Sequence, residues 1–191
     1  MLSAIAVAAT EVGAPLEDFD SVVRLHRPKI FRYILASLRE HDTAENLTQE
    51  CFVKAYQARG RFRGEASVNT WLMQIAVNLV RDHCSNSRLK FWKKTMRTSV
   101  DVSAAGEWIT DRKLSPEEAA SARQRVAAVW TVAEKLPERQ RTVFLLRFVE
   151  DMEVLEIAAA TGIAEGTVKS HLSRALQTVR MRIEATKWAI V

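Results

Sequence analysis

Cysteine, proline and glycine are scarce in this chain of 191 residues. Their scarcity restricts the possible fold classes and the cellular compartment. The two cysteines, Cys51 and Cys84, stand far apart without metal-ligand spacing, which argues against a disulfide framework and suits a reducing cytoplasm. Six glycines and four prolines leave little of the turn chemistry that a many-stranded sandwich or barrel needs. Helices are therefore expected to dominate the fold.

Long hydrophobic runs are also missing. The best candidate for an apolar run, 71–80, is interrupted by Gln74 and Asn78, far short of the roughly 18 apolar residues of a membrane span. The apolar segment 2–9 lacks the basic start of a signal peptide, because the first basic residue is Arg24. We predict a cytoplasmic protein without a membrane span, whose residues 1–15 form an N-terminal arm.

Signatures of catalysis are absent from the sequence as well. The chain has no phosphate-cradling glycine loop, nucleophile elbow or paired-carboxylate pattern. Its four histidines stand in no metal spacing: His26, His41, His83 and His171. An enzyme is therefore the least favoured class, and no metal or cofactor is predicted. The formal charge of +5 permits nucleic acid as a partner without requiring it.

Apolar residues recur at helical spacing in three stretches of a first domain, 16–92. The predicted helices are 16–38, which Pro28 is expected to break or kink, 43–59, and 67–85. The buried stripe of the third is predicted to be Trp71, Leu72, Ile75, Ala76, Leu79 and Val80. From 93 to 116 the periodicity is lost and polar residues accumulate, which predicts a flexible linker.

A second helical domain, 117–191, follows the linker. Ser115, Pro116 and Glu118 form a helix-start signal with a capping box. The periodicity predicts helices over 117–136, 138–149, 154–161 and 167–187. The fold class is thus all-α: two small helical domains joined by a flexible linker, the second containing a helix-turn-helix.

Residues 156–175 carry that helix-turn-helix pattern, with Gly162 in the turn. Five apolar side chains share one face of the second helix and are expected to pack: Val168, Leu172, Ala175, Leu176 and Val179. The opposite face would enter a major groove with Lys169, Ser170, Ser173 and Arg174. Thr167 and free N–H groups at the helix N-terminus would take a phosphate. A plain helical hairpin with solvated charges is the alternative.

Two features of the first domain also indicate binding. Asn46, Gln49 and Glu50 fall on an exposed flank that suits a protein partner, although a solvated face is the simpler interpretation. A loop interleaves Arg61, Phe62 and Arg63, a pattern typical of single-stranded nucleic acid binding. The basic segment 81–97, at the end of the first domain, is a second cationic patch in addition to the basic face of the helix-turn-helix. Two separate basic sites on one chain indicate bipartite contact with one nucleic acid.

These motifs, in this order, resemble those of a bacterial sigma factor of the extracytoplasmic-function (ECF) class, in the sigma-70 superfamily. The segments on which the resemblance rests are Asn-Leu-Thr-Gln-Glu-Cys-Phe, Phe-Arg-Gly and Thr-Trp-Leu-Met-Gln-Ile-Ala-Val-Asn in the first domain. Leu-Pro-Glu-Arg-Gln-Arg, Glu-Ile-Ala and Gly-Thr-Val-Lys-Ser-His-Leu-Ser-Arg-Ala follow in the second. The resemblance covers 16–92 and 117–186.

The resemblance implies roles for particular residues. Asn46, Gln49 and Glu50 would bind the clamp of the largest subunit of core RNA polymerase. The residues expected to open the promoter −10 element and hold an extruded base are Arg61, Phe62, Arg63, Gly64, Ser67, Asn69, Gln74, Asn78, Arg81 and Asp82. Trp71 matches the same motif, and a core role is expected for it. Thr167, Lys169, Ser170, Ser173 and Arg174 would bind the −35 element.

The resemblance also implies partners and a function. Core RNA polymerase, promoter DNA and an anti-sigma factor are the expected partners, and promoter-specific initiation of transcription is the expected function. A stand-alone helix-turn-helix transcriptional regulator is the alternative. Asp151 and Glu153 depart from the family pattern, which prefers Gly and a Ser or Thr cap at these two positions.

Overall fold

A computed structural model describes residues 18–93 and 126–188 of the chain. Within these ranges the regular structure is helical, with no strand, as the composition predicts. The helices are α1 (Phe19–Leu38), α2 (His41–Ala58), a 3-10 turn (Arg59–Arg61), α3 (Val68–Lys93), α4 (126–133), α5 (Glu138–Phe148), α6 (Val154–Thr161) and α7 (Glu165–Trp188). We call α1–α3 the first unit and α4–α7 the second unit.

Helix α1 runs unbroken through Pro28, so the predicted break is wrong. Asp18 caps its start by accepting a hydrogen bond from the Ser21 N–H at 3.1 Å. Pro28 is exposed, so the backbone carbonyl that loses its partner one turn earlier lies at the solvent side of the helix. Buried Ile30, Tyr33 and Ile34 follow directly and hold the C-terminal half of α1 in the core.

Helix α3 forms the centre of the molecule and reaches Lys93, beyond the predicted end at Ser85. No Gly or Pro occurs between 65 and 105 to end it earlier. Leu72, Ala76, Leu79 and Val80 are buried as predicted. Trp71 and Ile75 are instead half-buried, whereas two residues outside the predicted stripe, Met73 and Val77, are buried.

The wider buried face of α3 has a structural cause. The first unit packs α1 and α2 on one side of it, and the second unit packs α6 on another. A helix covered on two sides buries more than the single stripe of a surface helix. The burial of Val77 therefore follows from the second unit and not from the three-helix bundle alone.

The second unit is a helix-turn-helix built on α5, with α6 at 154–161 as predicted. Helix α4 ends at 133 and a turn leads to Pro137, so the predicted helix to 136 is too long. Gly162 ends α6 in the left-handed conformation, φ +71°, which glycine adopts without strain. Asp151 is also left-handed, φ +52°, at the position where the family pattern has Gly.

Several predictions of local structure lie outside the described residues. The arm 1–15 and the Ser115 capping box are among them, as is the predicted linker 93–116 apart from Lys93, which ends α3. The search for membrane-spanning helices, made over the described ranges, finds none long and apolar enough. No group of three or more potential metal ligands occurs in the same ranges.

Candidate nucleic-acid interface

Helix α7 sorts its residues as the periodicity predicts. Val168 and Ala175 are fully buried, Val179 nearly so, and Leu172 and Leu176 are half-buried against the second unit. The predicted −35 side chains are all exposed: Thr167, Lys169, Ser170, Ser173 and Arg174. One face of α7 thus packs on α5 and α6, and the other presents cations and hydroxyls to solvent.

The start of α7 corrects one detail of this prediction. The helix begins at Glu165, two residues before the predicted start at Thr167. The Thr167 N–H donates to the Ala164 carbonyl at 2.9 Å, and the Val168 N–H donates to the same oxygen at 3.0 Å. Because both N–H groups donate within the turn, a phosphate at Thr167 would be bound by the exposed hydroxyl of its side chain.

Glu153 and Glu156 fix the entry to the helix-turn-helix. Glu153 is the N-cap of α6, and its N–H donates to Glu156 Oε2 at 2.9 Å within a complete capping box. Glutamate therefore supplies the cap for which the family pattern uses Ser or Thr. Arg147 adds hydrogen bonds of 3.1 Å to the Met152 carbonyl and to Glu153. These contacts set the position of α6, and through Gly162 that of α7.

A second candidate surface surrounds the loop between α2 and α3. The rings of Phe62 and Trp71 lie 5.1 Å apart at 44°, and Gly64 turns the loop with φ +71°. A pocket of about 190 Å³ opens beside this ring pair. Its lining residues are Arg61, Phe62, Arg63, Glu65, Ala66, Thr70, Trp71, Gln74 and Ala159. The half-buried Trp71 therefore faces a pocket as well as the core.

The N-terminus of α3 contributes polar groups to the same region. Ser67 caps the helix by accepting from the Thr70 N–H at 3.1 Å. Oδ1 of Asn69 is buried and has no hydrogen-bond partner among the described residues. Further along α3, Gln74 and Arg81 are exposed and Asn78 is half-buried. Arg81 Nη2 donates to Asn78 Oδ1 at 2.8 Å. Exposed Gln74 and Arg81 therefore continue the polar surface of α3 beyond the pocket.

The predicted protein-binding flank is exposed on α2. Asn46, Gln49 and Glu50 all face solvent, whereas Leu47, Thr48 and Cys51 between them are buried. Lys54 pairs with Glu50 at 3.0 Å, one helical turn later. Burial raises the pKa of Cys51 to about 12, so its thiol stays protonated, as expected of a core residue.

The structure brings the α2–α3 loop and α3 residues together, while the α7 set forms a separate face. Sequence reasoning missed the charged residues where the two units meet, above all Arg32 and Glu150. Arg32 Nε and Nη2 donate to the two Glu150 carboxylate oxygens at 2.8 and 2.7 Å. Burial raises the pKa of Glu150, an effect that the hydrogen bonds from Arg32 oppose. No local pattern marks this pair, because its members are 118 positions apart.

Comparisons with known proteins match both units. Residues 22–90 match the Sigma-70 region 2 family model, and residues 127–179 match the model for Sigma-70, region 4. The chain is 31% identical over 165 residues to the RNA polymerase sigma-H factor of Pseudomonas aeruginosa, covering 84% of this chain and 83% of that protein. It is 25% identical over 167 residues to the ECF RNA polymerase sigma factor SigW of Bacillus subtilis, covering 87% and 89%.

Solved structures give the same fold. The sigma factor RpoE of Bartonella quintana, solved in complex with the anti-sigma factor NepR, superposes with a TM-score of 0.69 at 20% identity. That match covers 88% of this chain and 98% of the other. The likeness extends over both helical units, in agreement with the two family models.

Proposed function

Because the chain belongs to the ECF class of sigma-70 RNA polymerase sigma factors, we propose that its first unit binds core polymerase and the −10 element, and its second unit the −35 element. A sigma factor directs core RNA polymerase to specific promoters and initiates transcription there. The match to region 2 does not favour the alternative, a stand-alone helix-turn-helix regulator. As a specificity subunit, the chain is expected to have no catalytic activity of its own.

The observation that carries the −35 assignment is the sorting of α7 into two faces. Lys169 and Arg174 are exposed, whereas Val168 and Ala175 beside them are fully buried. A helix held by its apolar face leaves its polar face free to enter a major groove. Lys169 neutralises a phosphate, Arg174 reads a base edge, and Thr167 and Ser173 supply hydroxyl donors. The Ser170 hydroxyl donates to the Gly166 carbonyl at 2.8 Å, so its oxygen is left to accept a hydrogen bond.

The −10 assignment rests on the pocket beside Phe62 and Trp71. An extruded base needs an aromatic surface and hydrogen-bonding partners to offset the cost of unstacking, which is a few kcal/mol. The ring pair offers the surface, and the pocket is lined by Thr70 and Gln74. Arg61, Arg63 and Arg81 are exposed and would follow the backbone phosphates, with Gly64, Ser67, Asn69, Asn78 and Asp82 shaping the surface between them.

The exposed flank of α2 suits the polymerase contact. Asn46, Gln49 and Glu50 offer two amides and one carboxylate on a helix whose other side is buried. We assign this flank to the clamp of the largest core subunit. The RpoE structure contains an anti-sigma factor, and we propose an anti-sigma partner for this chain too. A protein with these two proposed partners is expected to act in the cytoplasm.

A run-off transcription experiment tests the proposed function. The full chain is mixed with bacterial core polymerase and genomic fragments, and the transcripts are mapped. Specific transcripts are expected only when chain and core are both present, and their upstream sequences define the promoter. Failure to form a complex with core polymerase in a pull-down, together with no specific transcript, would refute the proposal.

Arg174→Ala is expected to weaken promoter binding by about 1–3 kcal/mol if the guanidinium reads a base edge. Arg180 lies on the same helix, is exposed, and stands outside the predicted reading set, so Arg180→Ala is the matched control. Band-shift titrations of the reconstituted holoenzyme on the mapped promoter measure both variants. Equal affinities and equal −35 preferences for Arg174→Ala and Arg180→Ala would remove Arg174 from the reading set.

A further inference from the structure

A cavity of about 320 Å³ lies where α3 meets α5 and the turn after α6. Val77 and Val80 of α3, Val143 of α5 and Ile163 of the turn give it an apolar lining. Cavities of this size, lined by apolar side chains with a few polar groups and placed between two packed units, are typical of small-molecule sites. Apart from Arg81, none of its lining residues has a part in the function proposed above.

Positive charge surrounds this cavity. Its lining includes Arg81, Arg139 and Arg141, against a single acid among the described lining residues, Glu138. Arg81 and Arg139 are exposed, and Arg141 is half-buried. Within the part of the chain that the structure describes, Arg139 makes no hydrogen bond or ion pair. Three guanidiniums against one carboxylate favour an anionic ligand, and a guanidinium can donate two parallel N–H bonds to a carboxylate.

Two hydroxyl groups of the lining are already used inside the protein. Ser37 Oγ donates to the Tyr33 carbonyl at 2.8 Å, and Thr161 Oγ1 donates to the Ile157 carbonyl at 2.5 Å. A hydroxyl has one proton to donate, so neither of these groups can donate to a ligand as well. The guanidinium groups are therefore the main donors that the polar end of a ligand could use.

The apolar part of the lining indicates what the rest of the ligand is. None of the described residues that line the cavity is aromatic. The cavity therefore offers no ring on which a nucleotide base could stack, in contrast to the pocket beside Phe62 and Trp71. Branched aliphatic side chains suit an alkyl chain, which gains affinity from the burial of its apolar surface.

We propose that this cavity binds an aliphatic carboxylate of the medium-chain fatty acid class. The alkyl chain lies against Val77, Val80 and Ile163. The carboxylate is bound by Arg139 and Arg141, which both belong to α5. Because the lining comes from both units, the ligand contacts both. This site is separate from the proposed roles in promoter and polymerase binding, and the chain would bind its ligand with neither partner present.

Cys84 provides a direct readout of this site, because it lines the cavity and is half-buried. Cys51 is buried in the core with its thiol protonated, so it is expected to react far more slowly. The free full-length chain is treated with N-ethylmaleimide, a neutral reagent, and peptide mass spectrometry gives the rate of alkylation at each cysteine. Sodium octanoate, octanol and sodium acetate are compared as probes at equal concentration and ionic strength.

Octanoate at saturation is expected to slow alkylation of Cys84 at least about fivefold, because only the unbound fraction reacts. For a ligand of about ten non-hydrogen atoms, half of this effect is expected near about 1 mM. Octanol has the chain without the charge, and acetate has the charge without the chain. Both are expected to leave the rate almost unchanged.

Arg139→Gln tests the contact with the carboxylate, and Lys135→Gln is the matched control. Each substitution removes one positive charge from an exposed side chain, but Lys135 does not line the cavity. We expect Arg139→Gln to raise the half-effect concentration of octanoate at least about fivefold and Lys135→Gln to leave it unchanged. Each variant is compared with itself with and without octanoate, so a change in the intrinsic reactivity of the thiol cancels.

Four results would overturn the proposal. They are no slowing by octanoate, equal slowing by octanol or acetate, an unchanged half-effect concentration in Arg139→Gln, and faster alkylation of both cysteines, which would mean that octanoate unfolds the chain. The experiment contains no polymerase and no DNA, so its outcome is independent of the run-off reaction.

Discussion

Replacement of Leu72 with alanine is expected to lower the free energy of unfolding by about 2–5 kcal/mol. Leu72 is fully buried in α3, and its backbone carbonyl accepts a hydrogen bond from the Cys51 thiol of α2 at 3.6 Å. The substitution removes apolar surface from the core and leaves a cavity. Because α1 and α2 on one side and α6 on another hold α3 in place, little of that cavity can collapse. Urea unfolding followed by far-ultraviolet circular dichroism measures the loss.

Leu25→Ala is the matched control. Leu25 lies on α1 with 59% of its surface exposed, so the same change of side chain there is expected to alter stability by no more than about 0.5 kcal/mol. Equal unfolding midpoints for the two variants would contradict the assignment of Leu72 to the core. A large loss in Leu25→Ala alone would instead mean that α1 packs through a different face.

Local periodicity was sufficient to predict the helix-turn-helix. The bounds of α6, 154–161, and the two faces of α7 follow from residues within a few positions of one another. Gly162 ends α6 at the left-handed position that its lack of a side chain permits. Periodicity alone therefore predicts that the −35 side chains are exposed on α7, and their roles in DNA binding stay predictions.

Three features of the fold depend on tertiary contacts and could not be predicted from local sequence patterns. Val77 is buried where it lines a cavity together with residues of the second unit, and no periodicity in 67–85 contains that information. Pro28 is tolerated because apolar packing anchors the residues that follow it. Arg32 and Glu150 carry no local sign of being partners, since they are 118 positions apart and meet where the two units pack against each other.

The candidate −10 surface is an intermediate case. The order Arg61, Phe62, Arg63 predicts a stacking loop, and the structure adds the ring of Trp71 at 5.1 Å. Trp71 was expected in the core, but its half-buried ring also lines the pocket. Ala159 also lines this pocket, although it is far from the other lining residues in the sequence. The pattern of one helix can predict the side chains on one wall of a pocket, but not those that another helix contributes.

Val168→Asp is expected to cost several kcal/mol and to abolish specific recognition of the −35 element. Val168 has no exposed surface and packs in the second unit, so an aspartate there buries a carboxylate without a counter-charge. The second unit would then be destabilised, and Lys169 and Arg174 would lose the fixed helix that presents them. Thermal unfolding followed by circular dichroism, and binding of the mapped promoter by the holoenzyme, measure the two effects.

Gln177→Asp provides the control, because Gln177 is exposed on the same helix and the substitution adds the same charge. Val168 is fully buried in the second unit, whereas Lys169 beside it is exposed, so the burial of Val168 fixes which side of α7 faces solvent. If Val168→Asp matched Gln177→Asp in stability, the face of α7 containing Val168 would not be the packed one. Lys169, Ser170, Ser173 and Arg174 would then lose the argument that turns them toward DNA, and the −35 assignment would fail with it.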